Sequence, residues 1–177
     1  MFTTIQSWDQ QLINFIQQKV PRSQIPTRLA RIINSIGNGG IMWVCLAVFL
    51  IARGQQPFGY MIIFADAFYF LVCHQFIKKI VVRKRPFQNN PEIQLEIKTP
   101  SSSSFPSGHA TISFASTTIL FFMNPLVGWI ALILSLIVAL SRLYLMVHYP
   151  SDVLWGMAIG ILDGLIAVYV IRLLYHL

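Results

Sequence analysis

The stretch LVGWIALILSLIVALSRLYLM, residues 126–146, contains one charged residue, Arg142, and is followed directly by VHYPSD. An apolar run of about 20 residues is long enough to cross the hydrocarbon core of a bilayer as a helix. Similar runs lie at residues 33–52, 58–77 and 153–174, and a shorter one lies at 108–123. The sequence therefore predicts an all-α, polytopic membrane helix bundle with five transmembrane helices. The third helix is short enough to be tilted or partly embedded in protein.

The composition agrees with this class. Of the 177 residues, 55% are hydrophobic and 11% are charged, and the mean hydropathy is +0.64. Soluble domains carry about a quarter of their residues as charged side chains, so a water-soluble enzyme is not expected. Five spans leave no room for a second domain, and residues 1–177 are predicted to form a single membrane-embedded domain. The net charge of +7 suits nucleic acid, anionic lipid or a phosphorylated substrate.

The N-terminal segment has the pattern of a surface helix. Its apolar residues recur at helical spacing, and Asp9 and several glutamines occupy the opposite face. These apolar residues are Ile5, Trp8, Leu12, Phe15, Ile16 and Val20. The pattern predicts an amphipathic helix that lies on the membrane surface and ends near Pro21, so that residues 1–32 form an interfacial segment. An incomplete first span is the alternative interpretation.

The polar stretch 78–107 is the one long loop expected after the N-terminal segment. With five spans, this loop, the N-terminal helix and the turn at 148–152 all fall on one side of the membrane. The turns at Arg53 and Asn124 fall on the other side, together with the C-terminus. We therefore expect residues 78–107 to form an active-site loop, because the polar residues suited to chemistry gather on this side.

Two cations stand at the start of the loop. Lys78 and Arg85 are seven residues apart, close to two helical turns, so the two side chains are expected to project from the same face of a helix. Pro86 then ends that helix or turns the chain.

A second group is Pro106-Ser107-Gly108-His109, at the start of the third span. A serine at the N-cap followed by glycine leaves backbone N–H groups free at the positive end of the helix dipole, which is an anion site. His109 falls in the first turn of this helix.

A third group joins the last two spans. Arg142 is followed by His148 and then by Asp152, across a Tyr149-Pro150 turn. A cation, an imidazole and a carboxylate thus meet at the same membrane face as the other two groups.

Together these residue types suit phosphoryl transfer. Three cations and backbone donors match the three non-bridging oxygens of a phosphate and the charge that develops there in the transition state. A histidine beside a carboxylate is an activated nucleophile or base. A second histidine can protonate the leaving oxygen, because an imidazole pKa of about 6.5 is near the working pH. The pattern predicts transfer through a phosphohistidine with no metal and no other cofactor.

At these residues the chain resembles the type-2 phosphatidic acid phosphatase superfamily of integral membrane lipid phosphatases. Its signatures are Lys-x6-Arg-Pro, Pro-Ser-Gly-His and Ser-Arg-x5-His-x3-Asp, and they match residues 78–86, 106–109 and 141–152. Each signature alone is weak, but three in order at span ends are specific. Gly37-Asn38-Gly39-Gly40 also looks like the glycine turn that often precedes the family's first core span, so the resemblance covers the chain from about Asn34 onwards.

The resemblance implies a role for each signature residue. It implies that His148 attacks phosphorus, that Asp152 orients and stabilises His148, and that His109 is the general acid. It also implies a phosphate clamp, made by Lys78, Arg85, Ser107, the Gly108 backbone N–H and Arg142.

Many relatives have six spans, whereas an interfacial helix and five spans are expected here. Shorter relatives with this layout are similar to bacterial undecaprenyl-diphosphate phosphatases. The predicted function is metal-independent dephosphorylation of a membrane lipid phosphate or diphosphate. Undecaprenyl diphosphate is the favoured substrate, and phosphatidylglycerophosphate or phosphatidic acid is next. The expected partners are this substrate and membrane lipids, without nucleic acid. The alternative is a lipid or anion transporter or binding protein that uses the same basic pocket, although the repeats typical of transporters are not evident.

The orientation of the chain is open to two arguments. Of the 13 Lys and Arg residues, all but Arg53 and Arg172 lie on the motif side, and the positive-inside rule would place that side in the cytoplasm. The family resemblance implies the opposite. We expect a multi-pass protein of the cell membrane with an extracytoplasmic active site, because cations that bind substrate depart from the rule for functional reasons.

Several polar residues lie outside the signatures. Lys79, Arg83 and Lys84 are interpreted as a basic stripe that contacts lipid headgroups, and His74 and His176 as structural residues. Packing roles are predicted for two carboxylates inside spans, Asp66 and Asp163. Asp163 lies in a small-xxx-small pattern made by Gly156, Gly160 and Gly164, where it is expected to hydrogen-bond between helices.

Overall fold

A computed structural model describes residues 2–20, 22–89 and 95–176, and the elements in these ranges are helical, with no strand. In chain order the helices are α1 (Phe2–Lys19), α2 (Gln24–Gly37), α3 (Ile41–Ala52), α4 (Gln56–Phe68), α5 (Lys78–Ile80), α6 (Gly108–Met123), α7 (Pro125–Tyr144) and α8 (Pro150–Tyr175). A 3-10 turn (Asn38–Gly40) joins α2 to α3, a π-helix (Tyr69–Ile77) joins α4 to α5, and a second 3-10 turn covers Pro86–Asn89. The predicted end of α1 at Pro21 lies outside the described residues.

Four helical segments are long and apolar enough to cross a membrane. They are Gln24–Ala52, Gln56–Ile80, Pro125–Tyr144 and Pro150–Tyr175, with 29, 25, 20 and 26 residues. The predicted all-helical, multi-pass membrane bundle is confirmed. The remaining predicted span, α6, has the expected 16 residues and falls short of this length.

Helix α6 lies at the centre of the bundle. Ten of its 16 residues are buried, and it packs most extensively against α8 and α7 and also against α4. Sixteen residues rise about 24 Å, less than the roughly 30 Å of a bilayer core. Because other helices surround α6, it does not have to span lipid, and the prediction of a helix partly embedded in protein is confirmed.

Helix α2 begins at Gln24, nine residues before the expected start of the first span at residue 33. The difference follows from its amphipathic first turns, where Thr27 and Ala30 are buried and Arg28 is exposed. Such turns keep their cations near water while the helix continues into the apolar region. Part of the predicted interfacial segment therefore belongs to this helix. The glycine turn is present as a break between α2 and α3, where Gly39 and Gly40 have positive φ.

The prediction that Lys78 and Arg85 share a helix face is wrong. Helix α5 ends at Ile80, and Arg85 follows in a non-helical segment. The β-branched residues 81–82 and the restriction on the residue before Pro86 disfavour a longer helix. The segment pairs instead with the serine run 101–104, where the Ser104 amide donates to the Arg83 carbonyl (3.0 Å).

Helix α1 has two distinct faces. Trp8, Leu12 and Phe15 are 66%, 45% and 56% exposed and form an apolar face suited to a membrane surface. On the opposite face Ile13 is fully buried, in a cluster with Met146. The interfacial location of α1 stays a prediction, but its inner face is packed against the bundle.

The two ends of the bundle are separated as the connectivity predicts. At one end α1, the loop after α5 and the start of α8 contact one another through hydrogen bonds. At the other end Tyr60 stacks on Tyr175, and the Arg172 guanidinium lies over the Phe122 ring.

Helices α6 and α8 approach closely along the predicted small-xxx-small pattern. A Cβ atom added at Gly160 would lie 2.3 Å from the Thr111 carbonyl oxygen, and one at Gly164 would lie 2.6 Å from that of Ala115. The predicted hydrogen bond of Asp163 between helices is wrong. Both carboxyl oxygens of Asp163 are buried with no hydrogen-bond partner among the described residues, and the same holds for Asp66.

We expect Gly160→Leu to destabilise the bundle by about 3 kcal/mol, because any side chain at this position forces α6 and α8 apart. The measurement is thermal unfolding in detergent. Ala158→Leu is the matched control, since Ala158 lies on the exposed face of the same helix and should unfold like the wild type. Equal loss of stability in both variants would contradict the close packing described here.

Candidate active site

The serine run is a structural wall of the site. Its backbone carbonyls accept hydrogen bonds from Lys78 and Arg85, the two cations at the start of the loop. Arg85 donates from Nε to the Ser102 carbonyl (3.1 Å) and from Nη2 to that of Ser103 (3.2 Å). Lys78 Nζ donates to the same Ser103 carbonyl (2.9 Å). The loop thus holds both cations by peptide dipoles, without neutralising their charge.

The serine run also fixes the tautomer of His148. Its Nδ1 lies 2.7 Å from the carbonyl oxygen of Ser104, and because a carbonyl only accepts, Nδ1 carries the proton. The lone pair therefore lies on Nε2, which is 3.4 Å from Arg85 Nη1. The ring is 2% exposed and lines a cavity of about 340 Å³.

Asp152 does not contact the imidazole as closely as expected. Its Oδ2 lies 3.9 Å from His148 Nδ1, an ionic distance that is too long for a hydrogen bond. The carboxylate instead accepts from Ser104 Oγ (2.5 Å), the Tyr149 amide (2.9 Å) and Arg83 Nη1 (2.5 Å). The Ser104 carbonyl, and not Asp152, sets the tautomer of His148. Asp152 acts on the ring through its charge and through Ser104.

Six of the eight predicted site residues line the cavity: Lys78, Arg85, Gly108, His109, Arg142 and His148. The other two, Ser107 and Asp152, are fully buried. Ser107 is the N-cap of α6 as predicted, and its Oγ has no hydrogen-bond partner in the described part of the chain.

The signature glycine has a steric explanation. A Cβ atom at Gly108 would lie 2.0 Å from the hydroxyl of Tyr69. Any larger residue here would displace Tyr69, which packs at the start of the π-helix.

Asn34 on α2 is a site residue that the sequence reasoning missed. Its side-chain oxygen accepts a hydrogen bond from Arg142 Nη1, and its carbonyl lies 3.4 Å from His109 Nε2. Asn34 thereby places α2 against both side chains. The signal available in the sequence was an isolated amide just inside the first apolar run.

Two further residues of the cavity wall were also missed. His74, interpreted as structural, lines the cavity together with Lys98. The signal for His74 was its position four residues before Lys78, about one helical turn away. Lys98 is an exposed loop residue, and nothing in its sequence context points to the cavity.

Arg83 was predicted to contact lipid headgroups, and this is wrong. Its guanidinium bridges two carboxylates, with Nη1 2.5 Å from Asp152 and Nη2 2.5 Å from Asp9, and it lies over the Tyr149 ring. Burial lowers the pKa of Arg83, but hydrogen bonding and charge attraction from Asp9 and Asp152 outweigh burial and raise it. Arg83 is therefore permanently charged.

Burial controls the charge of the site residues outside the spans. It lowers the pKa of His148 well below 6.5, an effect that the nearby cations reinforce and Asp152 opposes. His148 is therefore neutral at pH 7. Burial also lowers the pKa of Arg85 to about 10, which leaves the guanidinium charged at neutral pH.

The stability of the fold should fall in mild acid because of His148. The unfolded chain protonates this residue near pH 6.5, whereas the folded protein does so only at lower pH. The unfolded state thus binds more protons below about pH 6.5, and the free energy of unfolding decreases as the pH falls.

We expect the melting temperature to drop between about pH 7.5 and pH 5.5, and to drop less in His148→Gln, which does not titrate. Thermal unfolding in detergent measures both slopes. His176→Asn, at an exposed histidine, should keep the wild-type slope. Identical slopes in wild type and His148→Gln would contradict a neutral, buried His148.

The fold and the site together define an integral membrane phosphatase. Apolar helices enclose a cavity with four cations and three histidines at its wall. Over residues 2–20, 22–89 and 95–176 there is no cluster of His, Cys, Asp or Glu that could hold a metal ion. The family model of the PAP2 superfamily matches residues 54–175, and the chain belongs to this superfamily. The family resemblance inferred from the signatures is confirmed.

Several known relatives carry phosphatase names. Decaprenylphosphoryl-5-phosphoribose phosphatase of Mycobacterium tuberculosis is 37% identical over 139 residues, which are 77% of this chain and 76% of the relative. Undecaprenyl-diphosphatase BcrC of Bacillus subtilis is 32% identical over 94 residues, covering 53% and 48%. The crystal structure of the first transmembrane PAP2 type phosphatidylglycerolphosphate phosphatase from Bacillus subtilis superposes with a TM-score of 0.72 at 24% identity, covering 93% and 84%. The chain is a lipid phosphatase, and the structural likeness supports its fold.

Proposed function

We propose that this protein removes phosphate from a polyprenyl-linked membrane substrate through a phosphohistidine formed on His148. The proposal is carried by the tautomer of His148 and by its location at the cavity. Its Nδ1 proton is held by the Ser104 carbonyl, its Nε2 lies 3.4 Å from Arg85 Nη1, and the residue lines a cavity with Lys78, Arg85 and Arg142. An imidazole in this state is a nucleophile aimed at an anion site.

The cations would bind the phosphate that is attacked. Lys78, Arg85 and Arg142 line the same cavity as His148, and the Gly108 backbone adds the start of α6. Together they match the non-bridging oxygens, whose charge they stabilise as the transition state forms. The unpartnered Ser107 Oγ supplies one more group for hydrogen bonding at this helix start.

In the first step the bond from Nε2 to phosphorus forms, the bond from phosphorus to the leaving oxygen breaks, and His109 gives a proton to that oxygen. The positive charge that develops on His148 is stabilised by Asp152, 3.9 Å from Nδ1. In the second step water attacks the phosphohistidine, and His109 takes up its proton. Inorganic phosphate leaves and His148 returns to its neutral state. No metal ion or cofactor takes part.

Undecaprenyl diphosphate is the favoured substrate, since a relative with this activity in its name is 32% identical over 94 residues. A polyprenyl-linked phosphosugar is the second candidate, because the relative with 37% identity is named for such a substrate. The polar cavity residues Asn38, His74 and Lys98 lie outside the phosphate clamp and suit a second phosphate or a sugar. Phosphatidylglycerophosphate and phosphatidic acid come next.

We expect His148→Asn to lower phosphate release by more than about 1,000-fold, because it removes the nucleophile. The assay uses detergent-solubilised protein, EDTA to exclude metal-dependent hydrolysis, and a panel of undecaprenyl diphosphate, decaprenylphosphoryl-5-phosphoribose, phosphatidylglycerophosphate and phosphatidic acid. His176→Asn, at an exposed histidine, should match the wild type. Equal activity of wild type and His148→Asn, or no activity of the wild type on any lipid, would reject the proposed function.

The active site is proposed to face the extracytoplasmic side, as the family resemblance implies. The excess of cations on the motif side does not decide against this, because cations that bind substrate depart from the positive-inside rule. The C-terminal helix α8 ends at Tyr175, at the end of the bundle opposite the site. A reporter fused to it should therefore show a cytoplasmic location, and an extracytoplasmic reporter would overturn the orientation.

A further inference from the structure

Asp9 is a buried carboxylate on a helix whose outer face is apolar and exposed. Its side chain is 3% exposed, although α1 was expected to place it toward water. Its partners are far away in sequence, at Arg83 and Ser151. No signature residue contacts it directly, so the phosphatase mechanism does not account for its burial.

The first group of contacts holds the start of α8. Asp9 Oδ1 accepts from the Ser151 amide (2.9 Å), and Oδ2 accepts from Ser151 Oγ (2.5 Å). Ser151 is the second residue of α8, where backbone N–H groups have no partner within the helix. Asp9 therefore caps α8 from another helix, and its negative charge is favourable at this positive end of the dipole.

The capped turn carries the residues that support the nucleophile. Asp152 is the next residue of α8, and His148 lies just before the helix. Asp152 itself accepts from the Tyr149 amide, so the first turn of α8 is held by one carboxylate from within and by another from α1.

The second contact is electrostatic. Arg83 gives Nη1 to Asp152 and Nη2 to Asp9, each at 2.5 Å. One guanidinium thus pairs with two carboxylates, and the three groups together carry a net negative charge. Without the charge of Asp9, Arg83 would neutralise Asp152 alone. The support that Asp152 gives to the positive charge developing on His148 would then weaken.

We propose that Asp9 is a positioning residue for phosphoryl transfer, which aligns the start of α8 and shares the charge of Arg83, so that Arg83 does not fully offset the negative charge of Asp152 beside His148. This inference rests on the proposed function. Asp9 does not touch the reacting atoms, and it acts through Ser151, Arg83 and Asp152. Through Asp9, helix α1 contributes to the active site.

The decisive variant is Asp9→Asn, which keeps the shape of the side chain and removes its charge. We expect kcat per folded protein to fall about 10- to 100-fold, the range typical for loss of a residue that orients a reacting group. KM should stay within about twofold, because Asp9 is not part of the cavity wall. Ser151→Ala removes only the hydroxyl contacts and should lose about threefold, since the backbone cap remains. An unchanged kcat in Asp9→Asn would overturn the inference, as would a loss explained by its unfolded fraction.

Glu96→Gln is the matched control. Glu96 also pairs with an arginine, Arg31, at 3.2 Å, but the Arg31 and Glu96 side chains are 53% and 36% exposed. Such a pair contributes little to the structure, so this variant should keep wild-type kcat and KM.

Deuterium exchange of amides at residues 149–153 provides a readout that needs no substrate. Exchange should be faster in Asp9→Asn than in the wild type and unchanged in Glu96→Gln, because Asp9 bonds this turn and the Glu96 ion pair is with Arg31. Unchanged exchange in Asp9→Asn would overturn the inference. A wild type without phosphatase activity would instead overturn the proposed function, so the two failures are distinguishable.

Discussion

The site depends on cations that are buried without being neutralised. Burying a charge without partners is costly, and proteins usually offset the cost with an opposite charge. Here the serine run does so with carbonyl dipoles, which bond Arg85 and Lys78, while an amide oxygen of Asn34 bonds Arg142. The carboxylate nearest to them, Asp152, is committed to Arg83. The positive charge of the cavity therefore remains available to an anionic group.

The apolar part of the molecule serves this arrangement through one close helix pair. The glycines of α8 let α6 approach to backbone contact, which fixes the start of α6 next to the start of α8. These two helix starts carry Gly108 and His109 on one side and Asp152 on the other. Close packing far from the chemistry thus sets the geometry of the cavity.

The sequence was sufficient to predict most of the helices, the membrane class and six residues of the cavity wall, since these depend on apolar periodicity and on side-chain type. Predictions from the sequence were wrong where backbone geometry determines the end of a helix or the partner of a side chain. The helix after Lys78 was extended too far because pairing with the serine run overrides local helical spacing. The partner of His148 was assigned to Asp152, because a carbonyl such as that of Ser104 is present at every residue and leaves no trace in the sequence. Asp9 and Asn34 were missed since their partners are more than 70 residues away.

The contacts of Asn34 and Asp9 show how much of this chain is needed to enclose the active site. The family match begins at residue 54. However, α2 contributes Asn34 and Gly37 to the cavity wall, and α1 supplies Asp9, the second carboxylate that pairs with Arg83. A fragment trimmed to the matched region would keep every signature residue, but one side of its cavity would be open to the surroundings. The stretch of chain that identifies the family is thus shorter than the stretch that encloses the active site.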